Sequence, residues 1–316
     1  MKIFAFVLLA LASLAGQAQD YPSRPIRILV PAAPGGTTDL LARVFGAKLS
    51  EAFRQPVTVE NRSSASGVIA GELTAQAPAD GTTLLLAYHQ HTVNAALNAK
   101  LPYHPVNDFT PITQLTSAGL LLVVNPASPP QNLQQFIEWT KTYKGDLNFG
   151  SAGLGSGGHL AGELYKQMTG VNAQHIPYKG SGPAMLDLVA GRYQFNFAGL
   201  QGAQTQVRAG KLRAIAVTTP KRLAALPDVP AVAEALPGFE VVGWYGVLGP
   251  AKLPKPIVDK LHAALLKILN EPDVHKRIVD DGSEPVGSSP EEFRQFLVAD
   301  LAKWEKVVKA SGAKLE

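Results

Sequence analysis

Two glycine-rich loops contain residues whose types and spacing suit the binding of an anion. The first loop consists of Pro34, Gly35, Gly36, Thr37, Thr38 and Asp39. Its paired glycines let the backbone approach a ligand without a Cβ, and either threonine can cap the following helix while the leading N–H groups face outward. Such N–H groups and the helix dipole favour an anion. The same residues also fit an ordinary strand-to-helix turn, so both interpretations stay open.

The second loop, residues 150–158, repeats this arrangement and adds the hydroxyls of Ser151 and Ser156 as donors. It also contains a Gly-x-Gly-x-x-Gly pattern between a predicted strand and a predicted helix, which is one feature of dinucleotide sites. Those sites also need an acidic residue near the end of the next strand, and residues 176–179 include none. The loop therefore favours a small anion over a nucleotide, and we expect no cofactor.

Enzymatic and metal chemistry have weaker support in the sequence. Ser151 or Ser156 could pair with His159 as nucleophile and base, but neither serine lies in the Gly-x-Ser-x-Gly pattern. His89 and His91 are two residues apart, and no further ligands at metal-site spacing accompany them. We therefore expect neither an enzyme nor a metal site. An exported serine-dependent hydrolase is the alternative.

A third loop follows the predicted strand at residues 174–177. The phenol of Tyr178 and the hydroxyl of Ser181 could fix the orientation of a ligand. Lys179 is either an added positive charge beside the ligand or a solvated surface residue.

The elements that position these loops are strand–loop–helix units. Predicted strands at residues 26–31, 147–149 and 174–177 each precede one of the three loops, and helices with period-3.6 apolar positions follow. This order predicts an α/β architecture with parallel strands. In open sheets of this kind, ligands bind in the crevice beyond the carboxyl ends of the strands, so the three loops should share one site.

Two further segments have informative patterns. Phe195 and Phe197 alternate with Asn196 along a predicted strand, so both rings should face the core, and Phe197, near the end of the strand, is also a candidate ligand contact. The sequence Ser-Pro-Glu-Glu at residues 289–292 is a capping box that predicts the start of a C-terminal helix ending at Gly312.

Composition and the N-terminus limit the class of protein. Lys2 precedes an apolar run at residues 3–14 and the small-residue segment at 15–18, which predicts a signal peptide cleaved after Ala18. The 316 residues contain no cysteine and carry a formal charge of +4 without a basic block. A chain of this length favours two domains, and the dispersed charge argues against nucleic acid as a partner.

Many short motifs resemble one family, and they run through nearly the whole chain after residue 18. The matching segments are Tyr21-Pro22-Ser23-Arg24-Pro25, Pro34 to Asp39, Val59-Glu60-Asn61-Arg62, Asp80-Gly81, Leu101-Pro102-Tyr103, Asp108-Phe109, Gly150-Ser151, His159-Leu160, Ile176 to Gly180, Leu226 to Pro230 and Trp244. Their order and spacing resemble Bug proteins, the periplasmic receptors of tripartite tricarboxylate transporters. The chain departs from the family pattern at residues 63–64, and residues 88–91 are unusually rich in histidine.

The resemblance implies an α/β protein with the type II periplasmic-binding fold, in which two lobes close on a ligand held between them. Residues 1–18 would be the signal peptide. Lobe one would contain residues 19–120 and 225–316, and lobe two would contain residues 121–224. Residues 88–91, which are rich in histidine, lie in a ligand loop of the family, so ligand selectivity is expected to depend partly on that loop.

The resemblance also implies a function. The chain would be a monomeric periplasmic protein that catalyses nothing, binds a small carboxylate (a di- or tricarboxylate or an aromatic acid) and delivers it to the membrane components of a tripartite tricarboxylate transporter. A receptor that signals to a sensor kinase is a further alternative. Besides the first loop, the expected ligand-binding residues are Tyr88, His89, His91, Ser151, Ala152, Gly153, Ser156, His159, Tyr178, Lys179 and Phe197.

Overall fold

Alternating β-branched strands and amphipathic helices account for most of the chain, as the sequence predicts. The computed structural model describes residues 21–32, 34, 37–63, 67–98, 100–178, 180–280 and 282–311. The predicted signal peptide lies outside these residues. The strands are β1 (Ile26–Val30), β2 (Val57–Asn61), β3 (Thr83–Tyr88), β4 (Phe109–Val124), β5 (Asn148–Ser151), β6 (Gln174–Pro177), β7 (Phe195–Gly199), β8 (Arg213–Val217), β9 (Val242–Pro250) and β10 (Glu284–Pro285).

The helices connect these strands. They are α1 (Thr37–Phe53), α2 (Val68–Ala75), α3 (Gln90–Leu97), α4 (Leu133–Thr142), α5 (Gly157–Thr169), α6 (Ser181–Val189), α7 (Leu200–Arg208), α8 (Lys255–Leu269), α9 (Pro272–Asp280) and α10 (Pro290–Ser311), with a 3-10 turn at Val232–Glu234. No helix in the described part of the chain combines the length and apolarity needed to cross a membrane.

The strands form a continuous, mixed sheet in the order β2-β1-β3-β9-β4-β7-β5-β6, with β8 and β10 also pairing with β4. Strand β1 is parallel to β2 and β3, and β5 is parallel to β6 and β7, which confirms the predicted parallel units. The long strand β4 is antiparallel to β9 over residues 109–119 and to β7 over residues 120–124. It therefore runs from one lobe into the other.

Each lobe has apolar clusters on both faces of its part of the sheet. Phe195 and Phe197 are buried in one cluster of lobe two, while Asn196 bonds Tyr193 of the other cluster. The predicted alternation along β7 is therefore confirmed.

The C-terminal helix α10 contacts both lobes. Its capping box is confirmed, because the N–H of Glu292 donates to Ser289 Oγ at 3.2 Å and the N–H of Ser289 donates to the Glu292 carboxylate at 2.8 Å. Phe293 packs in a lobe-one cluster, whereas Trp304 packs in the main cluster of lobe two. The division of the chain near residues 120 and 224 stays a prediction.

Candidate functional site

A cleft of about 650 Å³ lies between the lobes, beyond the carboxyl ends of β1, β3, β6 and β7. Its lining residues are Thr37, His89, Ala118, Gly119, Leu120, Ser181, Gly182, Met185, Leu186, Gly199, Leu200, Gly202, Gln206, Gly243, Tyr245, Gly282 and Ser283. The first and third predicted loops thus contribute to one crevice, from opposite lobes. Parallel strands place helix N-termini at this edge, which suits the binding of anions.

A second groove of about 710 Å³ lies beside the cleft, between α7 and the segment that joins α9 to β10. It shares Leu200, Gly282 and Ser283 with the cleft. Its lining includes Arg208 at the end of α7 and Asp280 at the end of α9, and it contains none of the predicted ligand residues. The cleft is therefore the better candidate for the ligand site.

The first loop divides its side chains between the cleft and the protein interior. Thr37 is exposed at the start of α1 and lines the cleft, while Thr38 and Asp39 are buried. The carboxylate of Asp39 accepts from Asn61 Nδ2 at 2.9 Å and from Arg43 Nε at 3.0 Å. Asp39 therefore ties the first turn of α1 to β2 instead of facing a ligand. Pro34 is exposed, and Gly35 and Gly36 lie outside the described residues.

Tyr88 and His89 lie where β3 meets α3. The Tyr88 ring stacks on Tyr245 of β9, with 6.5 Å between centroids, and meets the His89 ring edge-on at 5.2 Å. Burial and the neighbouring Tyr245 raise the pKa of Tyr88. Burial lowers the pKa of His89, although the charge of Asp300 acts in the opposite direction. The rings of His89 and Tyr245 form part of the lobe-one wall of the cleft, whereas Tyr88 is not among its lining residues.

Asp300 supports this wall from behind. Its buried carboxylate accepts from Thr92 Oγ1 at 2.6 Å and from Trp244 Nε1 at 3.1 Å, and Lys303 lies 3.0 Å from it. The network joins α3, β9 and α10 beneath His89. Sequence reasoning missed Asp300, because its partners come from distant parts of the chain.

His91 lies in the core and not in the cleft. Its Nε2 donates to the carbonyl oxygen of Pro105 at 2.8 Å, and its ring packs against Tyr103 and Phe109 with centroid distances of 5.5 and 4.7 Å. Burial lowers its pKa to about 4, so the ring is neutral at pH 7. This position gives no support to the predicted ligand contact.

The hydroxyls of the second loop bond within the protein. Ser151 Oγ shares a 2.7 Å hydrogen bond with His175 Nε2 and accepts from the N–H of Gly153 at 3.1 Å. Ser156 Oγ donates to Gly153 O at 2.7 Å and accepts from the N–H of His159 at 3.3 Å, which caps α5. Both hydroxyls therefore hold the shape of the loop, and neither lines the cleft.

Backbone geometry fixes the remaining residues of the second loop. Gly153 has φ 134°, and a Cβ there would lie 3.1 Å from the carbonyl oxygen of Tyr178, so the position requires glycine. Ala152 is exposed, and its carbonyl oxygen accepts from the N–H of Gly180 at 3.0 Å. The second loop is thereby joined to the third.

His159 does not form the pair that a hydrolase would need. Its Nδ1 accepts from the N–H of Gly155 at 3.0 Å, and its ring stacks on His175 at 4.1 Å. Burial and Lys166 lower the pKa of His159 to about 4, and burial, His159 and Lys166 lower that of His175 to about 3. Ser151 thus contacts an imidazole that is a poor general base at neutral pH.

Tyr178 and Phe197 are directed toward their own lobe. Tyr178 Oη donates to Asp187 at 2.8 Å, and burial together with Asp187 raises its pKa to about 12. Phe197 is 1% exposed and stacks on Phe239, so its position does not support the predicted ligand contact. Lys179 lies outside the described residues.

Within the described ranges, no three His, Asp or Glu side chains form a group that could hold a metal ion.

Tyr245 lines the cleft, although it is not among the predicted ligand-binding residues. It alternates with Trp244 along β9, so the indole faces Phe293 while the phenol reaches the cleft. Period-2 alternation in this strand is the signal that could have identified it.

Known proteins resemble this chain along nearly its full length. The model of the tripartite tricarboxylate transporter family receptor, TctC, matches residues 41–313. BugT of Bordetella pertussis is 35% identical over 315 residues, which cover 98% of this chain and 97% of BugT. The structure of R. palustris Rpa4515 with adipate is 37% identical and covers 94% of this chain and 100% of that chain, with a TM-score of 0.76.

A TctC solute-binding protein from Polaromonas, solved with no ligand, is 27% identical and has a TM-score of 0.85, covering 92% of this chain and 99% of its own. These structures confirm the predicted two-lobe periplasmic-binding fold. Family members are receptors and not enzymes, so the hydrolase alternative is set aside. The chain belongs to the tripartite tricarboxylate transporter receptor family, whose members are periplasmic solute-binding proteins of the Bug type.

Proposed function

We propose that this protein is exported to the periplasm, where it captures a small carboxylate by closing its two lobes and delivers it to the membrane components of a tripartite tricarboxylate transporter. One observation carries the proposal: Thr37 at the start of α1 and Ser181 at the start of α6 come from opposite lobes and line the same cleft. Each helix start offers N–H groups and a hydroxyl to an anion.

The charge of the cleft suits reversible binding. None of its described lining residues is Lys, Arg, Asp or Glu, so the donors that face it are neutral. A carboxylate is ionised at neutral pH, since its reference pKa is near 4. Neutral donors can hold this anion without the desolvation of a full counter-charge, which favours release to a transporter.

Closure of the lobes is supported by the way in which they are joined. The residues of the cleft belong to different lobes that are joined by long strands such as β4, and this arrangement allows hinge bending.

The proposal is tested by thermal unfolding of the mature chain, purified under denaturing conditions and refolded to remove bound ligand, against a panel of carboxylates. A ligand at 100 times its Kd should add about 2.7 kcal/mol to the free energy of unfolding and raise Tm by roughly 4 °C. The matched control for each acid is its uncharged amide. A folded protein whose Tm is insensitive to every acid would contradict capture of a carboxylate.

Delivery needs a separate measurement. Membrane vesicles that contain the transporter should take up the labelled acid only when the mature protein is added. Uptake that proceeds equally without the protein would argue against delivery while leaving capture intact.

A further inference from the structure

The two walls of the cleft differ in polarity. The lobe-one wall presents Thr37, His89 and Tyr245, each with a group that can form hydrogen bonds. The opposite wall has Ser181 and Gln206 as its polar side chains, and its other side chains are aliphatic: Met185 and Leu186 lie on α6, and Leu200 begins α7. A carboxylate held at α1 would therefore direct the rest of the ligand toward an apolar surface.

The exposure of Leu186 is the main evidence that a ligand buries this surface. Leu186 is 72% exposed and lines the cleft. Met185, next to it, is half-buried. An exposed apolar patch that lines a concave site is typical of a ligand-binding surface, because the ligand buries it.

Three glycines leave the space that such a ligand needs. Gly182, Gly199 and Gly202 line the cleft near these apolar residues, and a Cβ placed at any of them would meet no atom within 4 Å. Side chains at these positions would project into open volume. The cleft therefore has room beside its apolar wall for a body of several carbon atoms.

Resting on the proposed function, we infer that the ligand is a carboxylate with an apolar body of several carbons, which packs on Met185, Leu186 and Leu200. A hydroxyl or carboxylate placed against these three side chains loses water without gaining a hydrogen bond, so a compact hydroxylated or tricarboxylic acid should bind less well. In contrast, each methylene that the ligand adds against these side chains increases its affinity.

The inference is tested by calorimetric titration of the stripped, mature protein with butyrate, hexanoate and octanoate, and with malate, tartrate and citrate. Affinity should rise by up to roughly fourfold for each methylene until the cleft is filled. Tighter binding of malate, tartrate or citrate than of hexanoate would overturn the inference while upholding the proposed function. Failure of all carboxylates to bind would overturn both.

Replacement of one exposed leucine separates packing from folding. Leu186→Asn should weaken octanoate binding by roughly fivefold and change butyrate binding little, because only the longer chain reaches the wall. Leu73→Asn is the matched control, since Leu73 is 39% exposed on α2 and lies outside the cleft lining. Equal losses for both acids in Leu186→Asn, or equal losses in the two variants, would contradict packing on this wall.

Discussion

The first and second glycine-rich loops have similar compositions, yet their hydroxyl groups have different partners. In the first loop, Thr37 is exposed to the cleft while Asp39 anchors the loop from inside. In the second loop, the hydroxyls of Ser151 and Ser156 bond to Gly153, and Ser151 also bonds His175. A hydroxyl in a glycine-rich loop is therefore available to a ligand only when the loop does not need it for its own shape.

Because of this difference, substitutions in the two loops should affect different quantities, ligand affinity in one case and the free energy of unfolding in the other. Changes in the second loop should alter the free energy of unfolding, because the hydroxyls of Ser151 and Ser156 are bonded within the protein. Changes at Thr37 should alter ligand affinity with little effect on folding.

Acidification should give the largest effect, through the second loop. His159 and His175 stay neutral in the folded protein down to about pH 4 and about pH 3, because burial is the largest cause of their lowered pKa values. Unfolded histidines bind a proton near pH 6.5, so the unfolded state takes up more protons. The free energy of unfolding should fall as the pH drops from 6.5 toward 4, by up to about 1.4 kcal/mol per pH unit for each histidine.

Urea unfolding at pH 7, 6, 5 and 4.5 measures this slope. The His159→Gln/His175→Gln double variant should have a shallower slope than the wild type, whatever its absolute stability. His91→Gln is the single-histidine comparison, since the pKa of His91 is also lowered to about 4 in the core. A slope that the double variant leaves unchanged would exclude this histidine pair as the source.

Removal of the Ser151 hydroxyl should have the next largest effect. Ser151→Ala removes the bonds to His175 and Gly153 at a buried position, which should lower the free energy of unfolding by about 2 kcal/mol. Ligand affinity should change little, since Ser151 does not line the cleft. Urea unfolding and calorimetric titration measure the two quantities.

Ser181→Ala is the matched control for Ser151→Ala. Ser181 is exposed at the start of α6 and lines the cleft, so its removal should weaken binding and leave the free energy of unfolding within about 0.5 kcal/mol of the wild type. If Ser151→Ala instead abolished binding in a fully stable protein, the assignment of the second loop to structure would be wrong.

The sequence predicted the architecture well because its signals are local. Parallel strand–loop–helix units, the capping box at Ser289 and the alternation of Phe195 with Phe197 depend on residues a few positions apart, and all are confirmed. The location of the cleft at the carboxyl ends of the strands follows from the same order of elements.

The roles of individual side chains could not be predicted in the same way, because their partners are distant in sequence. Asp39 is bonded by Asn61, Ser151 by His175, and His91 by the carbonyl oxygen of Pro105. Residue type and spacing made each of them a candidate for the ligand site, but only the folded chain shows which hydrogen-bonding groups are already occupied.

The smallest predicted effect is the most direct test of the first loop. Thr37→Val keeps the shape of the side chain and removes its hydroxyl, so carboxylate binding should weaken by roughly tenfold, because one hydrogen bond to a charged group is lost. The free energy of unfolding should stay within about 0.5 kcal/mol of the wild type, because Thr37 is exposed. Thr58→Val on β2, an exposed threonine outside the cleft lining, should change neither quantity. Unchanged affinity in Thr37→Val would mean that backbone N–H groups alone hold the carboxylate, and the contrast between the two loops would then lie in their backbones and not in their hydroxyls.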